Sequence, residues 1–334
     1  MLPRDIPADT IEAILAHYDI GPLIAPPNPA GGTANANTRI ATAAGEYFLR
    51  RRNAKYAAEP FVAFDHALMA HLTRHGVPTP REVLTRDGLG WVRAGDDVYE
   101  LFRYRPGVAH DRNSLPQIAA AGRALAAYHQ ASSSFRPPPG KDWPRYDDPR
   151  LIHEGISAIG AELRHRMSAR DLEYLTAQVI LLQRNLPDAR YHALPRLVVH
   201  GDYHPGNLLF GNDEVVGIFD LDWATLQPRA RDLADGIFLF AGERDSDIDA
   251  SDIFSLTQTW RPSRERALVF MNAYLGEAGL SADESDALPL MVRARWLYCR
   301  VAGMVKVAPE RRIEYFCSGL LEPLRALGAM QALF

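Results

Sequence analysis

Apolar residues recur at three- and four-residue steps over Asp9–Tyr18, at Ile11, Ile14, Leu15 and Tyr18, and Gly21-Pro22 ends the run. That spacing predicts a short amphipathic helix. Residues 24–36 are rich in Pro, Gly, Asn and Ala and read as a glycine-rich loop, after which 38–42 and 46–51 read as two strands joined across Gly45. Phe61, Phe64, Leu68 and Leu72 then mark one face of a helix over 60–75, with Pro60 in its first turn and Gly76 beyond its end. Three short strands follow at 82–85, 89–93 and 98–104, with turns at Asp87-Gly88 and Gly95-Asp96-Asp97. Two strands, a helix and three strands make a small mixed sheet with one covering helix, which the chain leaves through Arg105-Pro106-Gly107.

Beyond that hinge the period changes to that of helices. Ser114-Leu115-Pro116-Gln117 has the form of a capping box leading into Ile118, Leu125 and Tyr128. The proline-rich stretch 135–148 is a loop, helical patterns run over 151–186 and from 264 to the end, and strands are expected here only between 197 and 220. In the last helices Trp296, Tyr298 and Met304 alternate with Arg293, Arg295 and Arg300, which reads as a division between core and surface. The expected fold class is α+β in two lobes: residues 1–104 form a small sheet lobe, and residues 105–334 a larger, mainly helical one.

Composition narrows the function classes. A length of 334 residues suits two lobes around a cleft. Thirty-seven basic against 41 acidic residues give a net charge of −4, which argues against a nucleic-acid partner. Cys299 and Cys317 lack the spacing of a zinc or redox site. The N-terminal stretch has no signal-like apolar core, and no apolar run approaches the roughly 20 residues needed to span a bilayer. A cytoplasmic protein without a membrane partner is expected, as monomer or homodimer.

The densest chemistry lies in VVHGDYHPGNLLFGNDEVVGIFDLDWA, residues 198–224, where one strand ends at His200-Gly201-Asp202 and another begins after Asn207. The turn Gly211-Asn212-Asp213 should fold 208–210 against 215–219 and so return Asp220 to Asn207 and Asp202. Phosphoryl transfer needs an acceptor hydroxyl aimed in line and a divalent cation neutralising phosphate charge. Asp202 can accept the hydroxyl proton, and Asn207 and Asp220 offer the hard oxygen ligands that Mg²⁺ prefers. His200 belongs to the same catalytic loop and reads as a holder of its backbone. Tyr203, His204 and Trp223 flank the base as candidate acceptor contacts, with plain packing as the alternative. Asp232 reads as a helix cap or a partner of Arg229 or Arg231. Turn-capping by short polar side chains is the competing reading of Asp202, Asn207 and Asp220 taken singly.

HGDYHPGN followed by IFDLDWA resembles the aminoglycoside phosphotransferase and choline kinase superfamily, whose loop runs His-x-Asp, four residues, Asn, then Ile-Asp-x-acidic-x-Ala. Within it, residues 59–80 and ELFRYRPG at 100–107 look most like the homoserine kinase branch, and the resemblance spans about two thirds of the chain. It implies a protein-kinase-like fold, with Mg²⁺ and ATP, or GTP, as cofactors. Asp202 becomes the base, Asn207 and Asp220 metal ligands, and Asp222 a supporting or substrate group. By the same resemblance Gly31, Gly32, Thr33 and Asn35 lie over the nucleotide phosphates, and Tyr99 to Phe102 form the adenine-side hinge. Arg50 stands where such kinases usually carry a lysine on the α/β-phosphates, and Asp65, in preference to Glu59, would be the helix acid that pairs with it.

The expected activity is transfer of the nucleotide γ-phosphate to a hydroxyl of a small molecule: an amino alcohol such as homoserine or choline, an aminoglycoside, or a sugar. No activation segment separates Asp220 from the next helices, which favours a small acceptor, and Asp222 and Asp235 could attract one bearing an ammonium. Two rival readings exist. His200-x-Asp202-x-His204 also has the form of a metal-hydrolase cluster, yet all 11 histidines lie at or before His204 and Asn207 and Asp220 would have no role. A catalytically silent, nucleotide-binding pseudokinase is the other, motivated by Arg50.

Overall fold

In this computed structural model, which describes residues 5–30, 35–246, 249 and 252–329, alternating residues of the N-terminal third face two different helices. The elements are α1 (Ala8–Leu15), β1 (Asn28–Ala30), β2 (Ala36–Thr42), β3 (Gly45–Arg51), α2 (Glu59–Arg74), β4 (Trp91–Ala94) and β5 (Asp97–Arg103). The strands form one sheet in the order β1-β2-β3-β5-β4. Every pairing in it is antiparallel, where a mixed sheet was expected. β1 lies inside the expected loop, drawn in by pairing of Asn28–Ala30 with residues 37–39. The strand expected at 82–85 reduces to a single bridge between Glu82 and Phe102, because β4 already occupies that edge of β5 over residues 97–100.

The period of two sorts the sheet faces. Tyr47, Leu49, Tyr99 and Leu101 pack with Ile11, Ile14, Leu15 and Tyr18 around α1. The other face carries Arg50, Arg52, Val98, Glu100 and Phe102 toward α2, so the sheet has a helix on each side. Each fully buried Leu or Ile in these clusters contributes about 1.5–3 kcal/mol.

The second lobe comprises α3 (Leu115–Ser133), α4 (Pro149–Ala158), α5 (Gly160–Arg166), α6 (Ala169–Asn185), α7 (Asp188–Ala193), β6 (Arg196–Val199), β7 (Leu208–Gly211), β8 (Glu214–Ile218), β9 (Thr225–Pro228), α8 (Ala230–Phe240), β10 (Gly242–Arg244), β11 (Trp260–Pro262), α9 (Arg264–Leu275), α10 (Ala282–Met304), α11 (Arg312–Cys317) and α12 (Leu321–Ala329). Ser114 accepts from the Gln117 N–H at 3.3 Å, but the Gln117 side chain turns to Asp111, so only half of the capping box forms. Strands extend past 220, because β9 returns antiparallel to β6 and β10 pairs with β11. Arg293 and Arg300 of α10 are buried rather than on the surface, Arg300 lying 4.5 Å over the Trp296 ring. Among the described residues no helix is long and apolar enough to cross a membrane.

The loop that leaves β6 passes close to the chain that enters β9. Gly201 adopts φ +79°, and a Cβ there would lie 2.3 Å from the Trp223 carbonyl oxygen. Gly201→Ala should therefore combine left-handed strain with a clash against backbone and lower the unfolding free energy by at least about 2 kcal/mol. Urea titration of both proteins checks this, and an unchanged midpoint would show that the loop can relax.

Candidate active site

The loop between β6 and β7 is shaped by a carboxylate from the next helix. Asp232, in the first turn of α8, accepts the backbone N–H of His200 at 2.7 Å and of Gly201 at 2.8 Å, and lies 3.2 Å from His129 Nε2. Burial alone would raise its pKa, but His129 and the backbone donors hold it below the usual carboxylate range. Asp232 is thus neither a plain cap nor a partner of Arg229 or Arg231: Arg229 pairs with Glu284 at 2.6 Å, and Arg231 donates to the Gly201 carbonyl at 3.2 Å. His200 is fully buried, and its Nε2 bonds the Phe219 carbonyl at 2.8 Å, which ties the end of β6 to the end of β8. It holds the loop and touches no open space, so its place is structural rather than catalytic.

β7 and β8 pair Leu208 with Ile218 across a turn in which Asn212 and Asp213 are left-handed. The Phe219 N–H donates to the Asn207 carbonyl at 2.9 Å, so Asp220 emerges beside Asn207. Asn207 Nδ2 donates to the Asp202 carbonyl at 2.9 Å and lies 3.4 Å from Asp202 Oδ2, so Asn207 Oδ1 is the atom that could ligate a cation. His204 accepts the Gly206 N–H on Nδ1 and presents Nε2 to Asp202 at 3.4 Å. Burial works against ionising Asp202, but His204 beside it lowers its pKa to about 2, so the group is ionised at neutral pH. Asp220 behaves oppositely. Burial and the charges of Asp222 and Asp202 outweigh Arg50 and push it up to about 6, and its backbone is left-handed at φ 64°.

Behind these groups lies a buried charge network. Arg52 donates to Glu100 through Nε at 2.7 Å and Nη2 at 2.8 Å, to Asp65 at 2.7 Å, and approaches Asp222 at 3.4 Å. Arg50, two residues earlier and therefore on the same face, donates to Asp222 at 2.6 Å and lies 3.5 Å from Asp220. Asp65 thus pairs with Arg52 and with Lys141, not with Arg50, and Glu59 is exposed. Asn35 donates to Asp222 at 3.0 Å and accepts the Asn53 N–H at 2.8 Å. Gly31, Gly32 and Thr33 lie outside the described residues.

Several expected contacts are placed elsewhere. Tyr203 is buried, donates to the Ala121 carbonyl at 2.8 Å and packs on Phe240, so it cannot reach an acceptor. Tyr99 is buried toward α1 and Phe102 toward α2, both within β5. Asp222 is 2 % exposed beneath Arg50 and Arg52, and Asp235 is held by Arg295 and Tyr146, so neither is free to attract an ammonium. Trp223 remains half-buried in a cluster with Tyr56 and Trp143, and the Lys55 ammonium lies 4.3 Å over its ring. The loop 135–148 was not expected to matter, yet it sends Lys141 to Asp65 and to the Leu221 carbonyl, and Trp143 Nε1 to the Asp222 carbonyl at 2.9 Å. A lone lysine among prolines and a lone glutamate in the apolar strand at Glu100 were the only sequence signals for this network.

A divalent cation fits this arrangement. Asp220 Oδ1 is buried without a hydrogen bond, its one cationic neighbour among the described residues being Arg50 at 3.5 Å, while Asp222 and Asp202 add negative charge that a cation would offset. The hydrolase cluster does not form, since the His200 ring is committed to Phe219 and no group of three or more His, Cys, Asp or Glu suited to a metal occurs among the described residues.

Residues 27–266 match the family profile described as "Phosphotransferase enzyme family". A homoserine kinase of Rhodopseudomonas palustris strain BisA53 is 30% identical over 327 residues, covering 93% of this chain and 91% of its own. A homoserine kinase of Afipia carboxidovorans is 28% identical over 311 residues, covering 91% and 87%. Among solved structures, a microcompartment-associated aminopropanol kinase superposes with TM-score 0.70 at 19% identity over 98% of this chain and 99% of its own. An amicoumacin kinase in complex with AMP-PNP, Ca²⁺ and Ami gives TM-score 0.69 at 14% identity over 96% and 94%. These superpositions establish the two-lobed, protein-kinase-like fold.

The network also titrates. Burial disfavours His66⁺, but Glu100 at 2.8 Å and Glu82 raise its pKa from 6.5 to about 9. A raised histidine stabilises the folded state fully below 6.5, and that contribution is lost as pH rises through about 9. The stability difference between the native protein and His66→Gln should be largest near pH ~6 and shrink by pH ~10. Urea unfolding at both pH values measures it, and an equal difference at both would mean the imidazole is neutral when folded.

Proposed function

Because the chain belongs to the phosphotransferase enzyme family and is a small-molecule kinase, we propose that it uses Mg²⁺ and ATP to phosphorylate a hydroxyl that Asp202 deprotonates. GTP is the alternative nucleotide. The observation that carries this reading is the meeting of Asp202, Asn207 and Asp220 at one end of the β7–β8 hairpin, with Asp220 Oδ1 lacking any hydrogen bond. Asn207 Oδ1 and the Asp220 carboxylate would hold the metal, whose chemistry there is neutralisation of charge on the phosphates.

The chain's own groups do the rest. Asp202 accepts the hydroxyl proton, and His204 steadies that carboxylate in its ionised form. Arg50 and Asn35, both bonded to Asp222, face the phosphates as a cofactor-binding pair. Arg52 and Asp65 keep Asp222 and the sheet in register with α2. The lobes divide at residues 104 and 105, and the larger lobe presents the acceptor, with His204 and Trp223 nearest to it. The homoserine kinases among the relatives favour an amino alcohol as that acceptor.

Two substitutions separate the roles. Asp202→Asn should lower kcat by about a hundred- to ten-thousand-fold while leaving Mg·ATP binding intact, and full turnover would remove it as the base. Asp220→Asn, which keeps a residue tolerant of left-handed backbone, should abolish the thermal shift given by Mg·ATP. An unchanged shift would place the metal elsewhere. An ATP-consumption screen over homoserine, choline, aminoglycosides and sugars tests the acceptor.

A further inference from the structure

Between α2 and the chain that follows α3 lies an open groove of about 710 Å³ that the steps above do not use. That volume suits a small organic ligand. Its walls are fixed without one. His71 Nε2 bonds the Ala131 carbonyl at 2.9 Å and Ser134 Oγ at 3.1 Å, which ties α2 to the end of α3. Thr73 Oγ1 lies 2.8 Å from Thr79 Oγ1, which ties α2 to the segment entering residues 80–82.

The groove is apolar beneath and basic around. Met69 and Phe135 line it from the core, both of them buried. Arg74, Arg81 and Arg136 line it from three separate segments, and all three are exposed. Among the described residues their guanidiniums form no hydrogen bond and no ion pair. Glu82 is the one carboxylate among the described residues of the lining, and it is turned to His66 Nδ1, while His66 Nε2 bonds Glu100 at 2.8 Å. It is thereby committed to the buried network. Arg81 also adds to the positive charge felt at Arg105. Three like charges that no side chain offsets favour an anion between them.

The lining sets the chemistry of that anion. A monocarboxylate would satisfy one guanidinium fork and leave the other cations unmatched. A phosphate monoester brings about two negative charges at neutral pH and three acceptor oxygens, enough for forks arriving from different directions. Its organic part would cover Met69 and Phe135. We propose that this groove is a second ligand site, separate from the cleft, for a small phosphate monoester held by Arg74, Arg81 and Arg136. Such a ligand touches α2 and residues 80–82 on one side and residues 134–136 on the other, and so bridges the sheet lobe and the helical lobe.

Isothermal titration of the full chain with phenyl phosphate and with inorganic phosphate, each with and without Mg·ADP, tests the site. Heat that survives saturating Mg·ADP reports the groove, since the nucleotide occupies the cleft. Phenyl phosphate should bind there at one site per chain, about tenfold tighter than inorganic phosphate because its ring covers apolar surface. Arg81→Gln and Arg136→Gln should each weaken it by about tenfold or more. Both should leave the melting temperature unchanged, because neither guanidinium has a bond to lose. Arg81→Lys, which keeps the charge but not the fork, should recover part of the loss. Equal affinity for the two probes would assign the groove to the free anion and overturn the ester. Absence of surviving heat at millimolar probe, or equal binding by the native protein and both glutamine variants, overturns the site. A chain that binds no Mg·ADP counts against the kinase reading instead, and the native-to-variant comparison without nucleotide still decides the groove.

Discussion

The placement of both walls of the cleft depends on one buried chain of alternating charge, Glu100–Arg52–Asp222–Arg50, extended by Asp65 to Lys141. Its members come from β3 and its end, β5, α2, the 135–148 loop and the turn after β8. Desolvating so many ions is costly, and the pairing offsets that cost only when every partner is present. Removing one member leaves its partners charged and buried. The network is therefore better understood as fixing geometry than as adding stability. It holds Asp222 still, and Asp220 lies two residues away.

A second arrangement does the same for Asp202, the proposed base. Asp232 gathers two backbone N–H groups and His129, so the loop after β6 keeps its shape without help from a substrate. Preorganisation of this kind fixes Asp202 in position before any ligand binds. Around Asp220, the carboxylates of Asp202 and Asp222 crowd together and favour a cation.

Much of this was legible in the sequence because it is local. The HGDYHPGN stretch, the turn at 211–213 and the return of Asp220 follow from strand period and turn chemistry over about twenty residues, and helix α2 from its apolar spacing. What escaped depends on contacts between distant segments. Asp65 meets Arg52 instead of Arg50 because both arginines share one sheet face and the helix crosses nearer the later one, which no spacing rule fixes. Tyr203 reads as a flanking aromatic but is drawn into the core by the Ala121 carbonyl. The arginines of α10 look like a solvent face, yet that helix is surrounded by α4, α8, α11 and α12.

The loop at 135–148 has a mechanical consequence. Lys141 grips Asp65 of α2 while also bonding the Leu221 carbonyl, and it does not act alone. Arg50 and Arg52 reach Asp222, the Ile218 N–H donates to the Pro78 carbonyl at 2.8 Å, and His71 bonds the Ala131 carbonyl at 2.9 Å. The sheet and its helix are therefore stitched to the helical part at several separated points, and widening the cleft means breaking buried ion pairs rather than swinging on a loose joint.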